Sequence, residues 1–206
     1  DGTIDLPVDQ LMDKAKPGTV LKALQKSYLK PPVDSRIKLG HLDKAKLRVG
    51  IYWAAMPGQV QDRQRSAPFS QFLALAGDPE LLVFSLQGGV HQRDIQSFGA
   101  GGLVHDVGRG IFDFAEAATA LSQLDLLISI DAPVAHLGAA MGKRTWVLLP
   151  AAADWRWQLG GARAPWYPSA RLFQKPRPGD WDSVFERVRE ALETLKLTNG
   201  ARSTAM

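Results

Sequence analysis

The sequence contains no cysteine. This absence excludes a disulfide framework, a cysteine nucleophile and any metal site built on thiolates. The sequence also lacks an apolar run near the ~20 residues that a membrane span needs. Its first ten residues have neither the basic region nor the apolar core of a signal peptide. We therefore expect a cytoplasmic protein without a membrane span and, because the chain begins at Asp1, a piece of a longer protein.

Several catalytic motifs are missing as well. No G-x-G-x-x-G follows the first predicted strand, which argues against a dinucleotide oxidoreductase. The phosphate-binding loop G-x-x-x-x-G-K-[ST] and the nucleophile motif G-x-S-x-G are also absent. The four histidines show none of the paired spacings typical of zinc sites. We expect neither a metal nor another cofactor.

The charge balance is only mildly positive. The 25 Lys and Arg residues exceed the 21 Asp and Glu residues, and the formal net charge is +4. The basic residues are spread along the chain with acids between them, and no basic run is interleaved with aromatic residues as in nucleic-acid-binding faces. We expect no nucleic-acid partner. A smaller anionic ligand, such as a nucleotide diphosphate, remains an open alternative.

The chain divides into three segments. Residues 1–46 are rich in lysine and are interrupted by KPPVD, which indicates a linker or lead-in segment. Residues 47–197 alternate apolar strand-like runs with helical patterns and contain enough apolar residues for one domain. Residues 198–206 are predicted to be a disordered tail.

The alternation of strands and helices predicts an α/β fold. Strands are predicted at LRVGIYWAA, ELLVFSLQGG, LVHDVG, DLLISID and RTWVLLP, with helices between them. Units of this kind build a mostly parallel sheet covered by helices on both faces, a Rossmann-like three-layer α/β/α sandwich. Ligands of such folds bind at the carboxyl ends of the strands.

Polar residues follow most of these predicted strands. The residues in question are Asp62, Arg63, Arg65, Gln87, Gly88, Gly89, Asp106, Asp131, His136, Asp154 and Arg156. A helix that opens at about Ala132–Pro133 offers free N–H groups and the positive end of its dipole to an anion. His136, one turn into that helix, could donate to a phosphate or to a sugar hydroxyl.

Each of these residues also has a purely structural interpretation. Asp131 could serve only as the helix N-cap, which is worth ~1 kcal/mol of stability. His136 could be a half-buried histidine satisfied by neighbours, and Arg63 and Arg65 could be solvated surface. Their common position at the carboxyl ends of the strands favours a ligand site.

Four stretches resemble a known family: RVGIYWAAMPGQVQDRQRS, FSLQGG, DFAEAATALSQLDLLISIDAPVAHLGAAMGKRTWVLLP and DWRWQL…APWYPSARLFQKPRPGDWDSVFERV. They are similar to the C-terminal, nucleotide-sugar-binding half of GT-B glycosyltransferases, and in particular to the heptosyltransferase-like family 9 domain that follows tetratricopeptide repeats in bacterial proteins. The resemblance covers roughly residues 48–195. It implies two facing Rossmann-like halves, of which the second holds the sugar donor.

The resemblance also implies residue roles. Asp131, Ala132, Pro133 and His136 would hold the diphosphate and sugar of the donor, and Arg63 or Arg65 would neutralise phosphate without a metal ion. Gln87 would lie near the donor, and Trp155 and Arg156 would shape the edge of the site. No catalytic residue is assigned, because the acceptor site and general base of the family belong to the N-terminal half.

Several positions depart from the pattern of the resembled family, among them WAAMP after the first strand, where members carry WAG followed by Asn or Ser. Ala132 stands where members carry a serine or threonine after the aspartate, and Gly88 stands where they carry a lysine. The main hypothesis is the donor-binding domain of a metal-independent glycosyltransferase, inactive as an isolated chain. The alternatives are a catalytically inactive binding or scaffold domain and, with less support, a sugar-nucleotide epimerase. A missing N-terminal half and tetratricopeptide repeats are the expected partners, and self-association through Trp53 or Trp166 is a further expectation.

Overall fold

The structure is a computed structural model that describes residues 27–32, 36–40, 46–56, 58, 62–157, 162, 164 and 166–203. Strands and helices alternate along these residues. In chain order they are β1 (Leu47–Tyr52), α1 (Asp62–Arg65), α2 (Phe69–Ala76), β2 (Leu81–Ser85), α3 (Asp94–Ser97), β3 (Val104–Asp106), α4 (Phe114–Ser122), β4 (Leu126–Ile130), α5 (Pro133–Ala140), β5 (Thr145–Leu149), β6 (Ala170–Gln174) and α6 (Asp182–Ser203).

The strands form one parallel sheet in the order β3-β2-β1-β4-β5-β6. Ile51 of β1 lies at the centre, paired with Ser85 of β2 on one side and with Ile128 of β4 on the other. The strand order reverses between β1 and β4, which creates a crevice at their carboxyl ends. The predicted Rossmann-like α/β fold is confirmed.

Strand β4 shows why the sheet needs helices on both faces. All five residues of LLISI are buried, as expected for a parallel strand covered on both sides. Helix α5 packs closely on this strand because it carries a glycine at the contact. A Cβ at Gly138 would lie 3.0 Å from the Leu127 side chain and 3.1 Å from the Thr145 hydroxyl.

Two boundaries differ from the predicted ones. Strand β6 was not predicted from the sequence; its residues ARLFQ form a short edge strand in which Arg171 interrupts the apolar run. Helix α6 continues to Ser203, so the predicted tail from residue 198 begins inside the helix. Residues 204–206 lie outside the described part of the chain.

The described part of the predicted linker packs against the domain. The side-chain amide of Gln123, at the end of α4, accepts a hydrogen bond from the N–H of Leu39 and donates one to the carbonyl of Ile37, both at 3.0 Å. Leu39 is buried in the main core. Residues 36–40 are therefore part of the packed structure, whereas residues 1–26 lie outside the described part.

Trp53 does not offer a surface for self-association. Its side chain is 1% exposed, packs against the ring of Phe69 and donates its indole N–H to the Asp94 carboxylate at 2.9 Å. The expectation for Trp53 was wrong because residues directly after β1 turn into the core. None of the helices in the described ranges combines the length and the apolar character needed to cross a membrane.

Candidate functional site

A cleft of about 1170 Å³ opens at the carboxyl ends of the strands, where the strand order reverses. Six of the eight predicted site residues line it: Arg65, Asp131, Ala132, Pro133, His136 and Arg156. A cleft of this size is large enough for a small-molecule ligand. The side chain of Arg63 lies outside the described part of the chain.

Asp131 is an almost buried acid at the end of β4, with 4% of its surface exposed. Its Oδ1 lies 3.6 Å from Nε2 of His136. Burial alone would raise the pKa of the Asp131 carboxyl, but the His136 and Trp157 side chains and the charge of Arg65 outweigh burial, so the pKa lies below its ordinary value. The carboxylate is therefore ionised at neutral pH and carries a negative charge into the cleft.

Asp131 is not the N-cap of α5. The N-cap residue is Ala132, and no side chain caps this helix. Since Asp131 lies one residue before the cap, the interpretation of this acid as a cap alone is wrong.

His136 is held on several sides. Its imidazole stacks on the indole of Trp157, with ring centroids 4.4 Å apart and planes at 23°. Its Nδ1 lies 3.3 Å from the Tyr167 hydroxyl, while Nε2 faces Asp131. The side chain stays 27% exposed, so this fixed ring presents an edge to the cleft.

The indole N–H of Trp157 is a buried donor beside this pair. It finds no hydrogen-bond acceptor among the described residues, and the side chain is 0% exposed. Trp157 also lowers the pKa of the neighbouring Asp131 carboxyl. A buried unsatisfied donor is uncommon in proteins.

The amino end of α5 meets the conditions for anion binding. Ala132 has extended backbone angles, φ −146° and ψ 160°, and provides no side-chain oxygen to the first turn. Pro133 has no N–H of its own, which suits the first helical position. The Ala135 N–H donates to the carbonyl of Ala132 at 2.9 Å and the His136 N–H to the same carbonyl at 3.5 Å, and the helix dipole adds positive potential at this end of the helix.

Two arginines border the cleft in different electrostatic settings. Arg65, at the end of α1, lines the cleft and contributes positive charge at Asp131. Arg156 binds the Asp154 carboxylate through two atoms, Nε at 2.9 Å and Nη2 at 3.0 Å. This bidentate pair neutralises part of the charge that Arg156 could offer a ligand.

Gln87 does not line the cleft. Its side chain is 1% exposed, and its amide binds backbone on both sides: Oε1 accepts from the N–H groups of Trp53 and Ala54, while Nε2 donates to the carbonyls of Ala54 and Gly88. The expectation that Gln87 approaches a donor is corrected to a structural role. It clamps the loop after β1 to the end of β2.

Two tyrosines were not identified from the sequence. Tyr28 belongs to the predicted linker, lines the cleft and donates its backbone N–H to the carbonyl of Ala140 at 3.1 Å. Burial and the neighbouring Tyr28 raise the pKa of Tyr167 to about 12, against an opposing effect of the Arg156 charge. The Tyr167 hydroxyl therefore keeps its proton at neutral pH. The WYP stretch was part of the resemblance, but no spacing indicated a contact with His136.

No cluster of three or more His, Cys, Asp or Glu side chains with the geometry of a metal site occurs in the part of the chain that the structure describes. The positive groups at the cleft are the arginines and the amino end of α5.

Comparisons with known proteins identify the fold. No protein-family model matches the sequence, and no curated protein matches it. Solved structures do match: a glycosyl transferase of family 9 from Veillonella parvula, with 18% identity over 76% of this chain and a TM-score of 0.52, and the ADP-heptose lipopolysaccharide heptosyltransferase II of E. coli, with 16% identity over 77% of the chain and a TM-score of 0.54. The chain has a GT-B-like fold.

A third match has the same extent. The E. coli heptosyltransferase WaaC, solved with ADP-2-deoxy-2-fluoro heptose, shares 15% identity over 76% of this chain at a TM-score of 0.52. The chain spans about half the length of these structures, 48%, 49% and 46% of each. The residues that the structure describes form one parallel sheet of this fold.

Proposed function

We propose that this chain is the donor-binding half of a glycosyltransferase and holds a nucleotide-activated sugar in the cleft. The observation that carries the proposal is the convergence of the Asp131–His136 pair with the uncapped amino end of α5 and with Arg65 at one strand-order reversal. The fold shared with family 9 glycosyltransferases supports the same class of function.

The groups in the cleft suit the two parts of such a donor. The diphosphate would lie at the amino end of α5 and near Arg65, because the helix dipole and the guanidinium group both attract negative charge. The sugar would lie against Asp131 and His136, because an ionised carboxylate accepts hydrogen bonds from hydroxyl groups. Tyr167, protonated at neutral pH, holds the imidazole through Nδ1.

The same groups would assist departure of the leaving group. Negative charge grows on the nucleotide diphosphate as its bond to the sugar breaks, and donors already aimed at that position stabilise the charge. Arg65 and the N–H groups of α5 can neutralise it without a metal ion. The proposed mechanism is therefore metal-independent.

The proposal assigns no catalytic base to this chain. An acceptor site and a base would come from a second Rossmann-like half that precedes this one, in a cytoplasmic bacterial protein that also carries tetratricopeptide repeats. The isolated chain would bind the donor and transfer nothing.

Titration calorimetry with ADP-, UDP- and GDP-sugars tests the binding step. ADP-sugars come first, because one matched structure was solved with an ADP-sugar analogue. Binding should be weakened at least tenfold by Asp131→Asn and by His136→Gln, since each removes a group at the proposed sugar position. The matched controls Asp106→Asn and His105→Gln change the same residue types on β3, outside the cleft residues, and should leave the affinity unchanged.

A catalytically inactive binding or scaffold domain is the second candidate. Ala132 supports it, since this residue lines the cleft without a hydroxyl group, and Gly88 supports it, since it adds no charge there. If neither this chain nor the longer protein bound any sugar nucleotide, the scaffold function would be preferred over sugar transfer.

A further inference from the structure

A second cavity of about 850 Å³ lies at the carboxyl ends of β5 and β6. Gln64 of α1 lines this cavity, whereas the next residue, Arg65, lines the cleft. Its walls are mostly apolar and include Ala67, Pro68, Pro150, Ala151, Pro178 and Trp181. None of the residues assigned to the sugar donor lines it.

A buried lysine lies in the wall of this cavity. Lys175 follows β6 directly and is 5% exposed. Its Nζ donates to the backbone carbonyl of Gln64 at 3.0 Å and lies 4.1 Å from the centre of the Trp181 ring. An ammonium group has three N–H donors, so these two contacts leave capacity for a further acceptor.

This ammonium has no carboxylate partner within the described ranges, where no Asp or Glu oxygen lies within 4.0 Å of Lys175 Nζ. Burial is the cause that lowers the pKa of Lys175. A buried charge without a counter-ion is unfavourable, and the contact with the Trp181 ring offsets only part of the cost.

We propose that this cavity is a second binding site, which takes a small molecule with an apolar body and one carboxylate or phosphate group. The anionic group accepts a hydrogen bond from Lys175 and supplies the missing counter-ion. The apolar body lies against the proline and alanine walls and Trp181. The site is independent of the sugar-donor proposal, because it uses none of the residues at the cleft.

Benzoate and phenyl phosphate are suitable probes, and benzyl alcohol is their neutral counterpart. Binding is followed by protein-observed NMR on the whole chain. Both anions should bind more tightly than benzyl alcohol, and Lys175→Met should weaken both by about tenfold or more, the loss expected for one charge-assisted hydrogen bond. The relative affinities of the carboxylate and the phosphate identify the anionic group that the site prefers.

Two further measurements locate the bound probe. Lys175→Arg keeps the charge and should retain binding, whereas Arg65→Met removes a cation from the cleft and should have no effect. In the unmodified chain, the indole N–H resonance of Trp181, assigned with Trp181→Phe, should shift with benzoate while that of Trp157 does not. This readout is independent of the folding of the lysine variant.

Three results would overturn the proposal. The first is equal affinity of the wild type and of Lys175→Met for the two anionic probes. The second is loss of probe binding in Arg65→Met. The third is that neither benzoate nor phenyl phosphate binds at millimolar concentration. Absence of binding would leave Lys175 as a tether for α1, with the Trp181 ring and the Gln64 carbonyl as its complete environment.

Discussion

Nε2 of His136 lies 3.6 Å from Oδ1 of Asp131, and the same imidazole stacks on Trp157 at 4.4 Å. The acid directly follows a fully buried strand, and the histidine lies one turn into the following helix. This short separation along the chain therefore brings an ionised carboxylate and a fixed imidazole together at the mouth of the cleft. The pair provides negative charge and a hydrogen-bonding ring edge in a largely apolar setting.

The lowered pKa of Asp131 predicts a pH dependence of stability. Because the folded-state pKa lies below the ordinary value of 3.8, the ionised group contributes stability that is fully present above that value. The contribution is lost as the pH falls through the folded-state pKa. In Asp131→Asn this contribution is absent. The difference in unfolding free energy between the wild type and the variant should therefore be larger at pH 6 than at pH 3.

Urea unfolding of both proteins across this range measures the difference. His136→Gln removes the partner of the carboxylate. When Asp131→Asn is introduced into the His136→Gln variant, its effect on unfolding free energy should therefore depend less on pH than it does in the wild type. A difference that stays constant from pH 6 to pH 3 would show that the carboxylate gains nothing from its neighbours.

Gln87→Leu should destabilise the fold severely. The substitution leaves the N–H groups of Trp53 and Ala54 and the carbonyl of Ala54 without their side-chain partner. Each buried unsatisfied group costs about 1–3 kcal/mol, so the three groups together predict a loss of about 3 kcal/mol or more in unfolding free energy. Gln96 is exposed, and Gln96→Leu should change stability by less than about 0.5 kcal/mol. Similar effects of the two substitutions would show that the Gln87 hydrogen bonds do not stabilise the loop after β1.

The fold could be predicted because each central element carries its own signal. Strands β1, β2, β4 and β5 are short apolar runs, and α5 has proline at its start and glycine after its end. Alternation of such runs with helices permits few topologies. Strand β6 was missed because an edge strand is only partly covered and Arg171, at its second position, is exposed.

The cleft residues were predicted in part, for a physical reason. Asp131, His136 and Arg65 follow strands, and the carboxyl ends of parallel strands meet at one edge. Gln87 has the same position in the chain, but its side chain turns inward, and position relative to a strand gives no information on that direction. The contributions of Tyr28 and Tyr167 depend on contacts between distant segments, which no local pattern encodes.

Gln123→Ala should release the segment 36–40 from α4. The substitution removes the hydrogen bonds to Leu39 and Ile37, at a cost of about 1–2 kcal/mol. The Leu39 amide should then exchange with solvent roughly tenfold faster or more in hydrogen-exchange experiments. Arg36→Ala removes an ion pair of the same segment, but Arg36 is 70% exposed, so its effect should be small. Equal exchange in Gln123→Ala and wild type would show that Leu39 packing alone holds the segment.

Gly88→Lys distinguishes a weakened donor site from a scaffold. Gly88 lines the cleft with φ −106° and ψ 177°, and a Cβ built on it meets nothing within 4 Å. A lysine therefore fits without strain and adds a cation to the cleft. Affinity for ADP should rise about tenfold, the value of one new charge-assisted hydrogen bond.

Gly102→Lys is the matched control, because that position is equally open but does not line the cleft. Ala132→Ser, which restores a hydroxyl at the start of α5, should raise the affinity for ADP as Gly88→Lys does.

The outcome separates the two candidate functions. If the wild type does not bind ADP and the two cleft substitutions create binding that Gly102→Lys does not, the cleft has kept its geometry and lost its phosphate contacts, as a scaffold domain requires. If the wild type binds and Gly88→Lys tightens binding, the arginine and the helix terminus already hold the diphosphate. Equal effects of Gly88→Lys and Gly102→Lys would mean that only net charge matters and would remove the diphosphate from this part of the cleft.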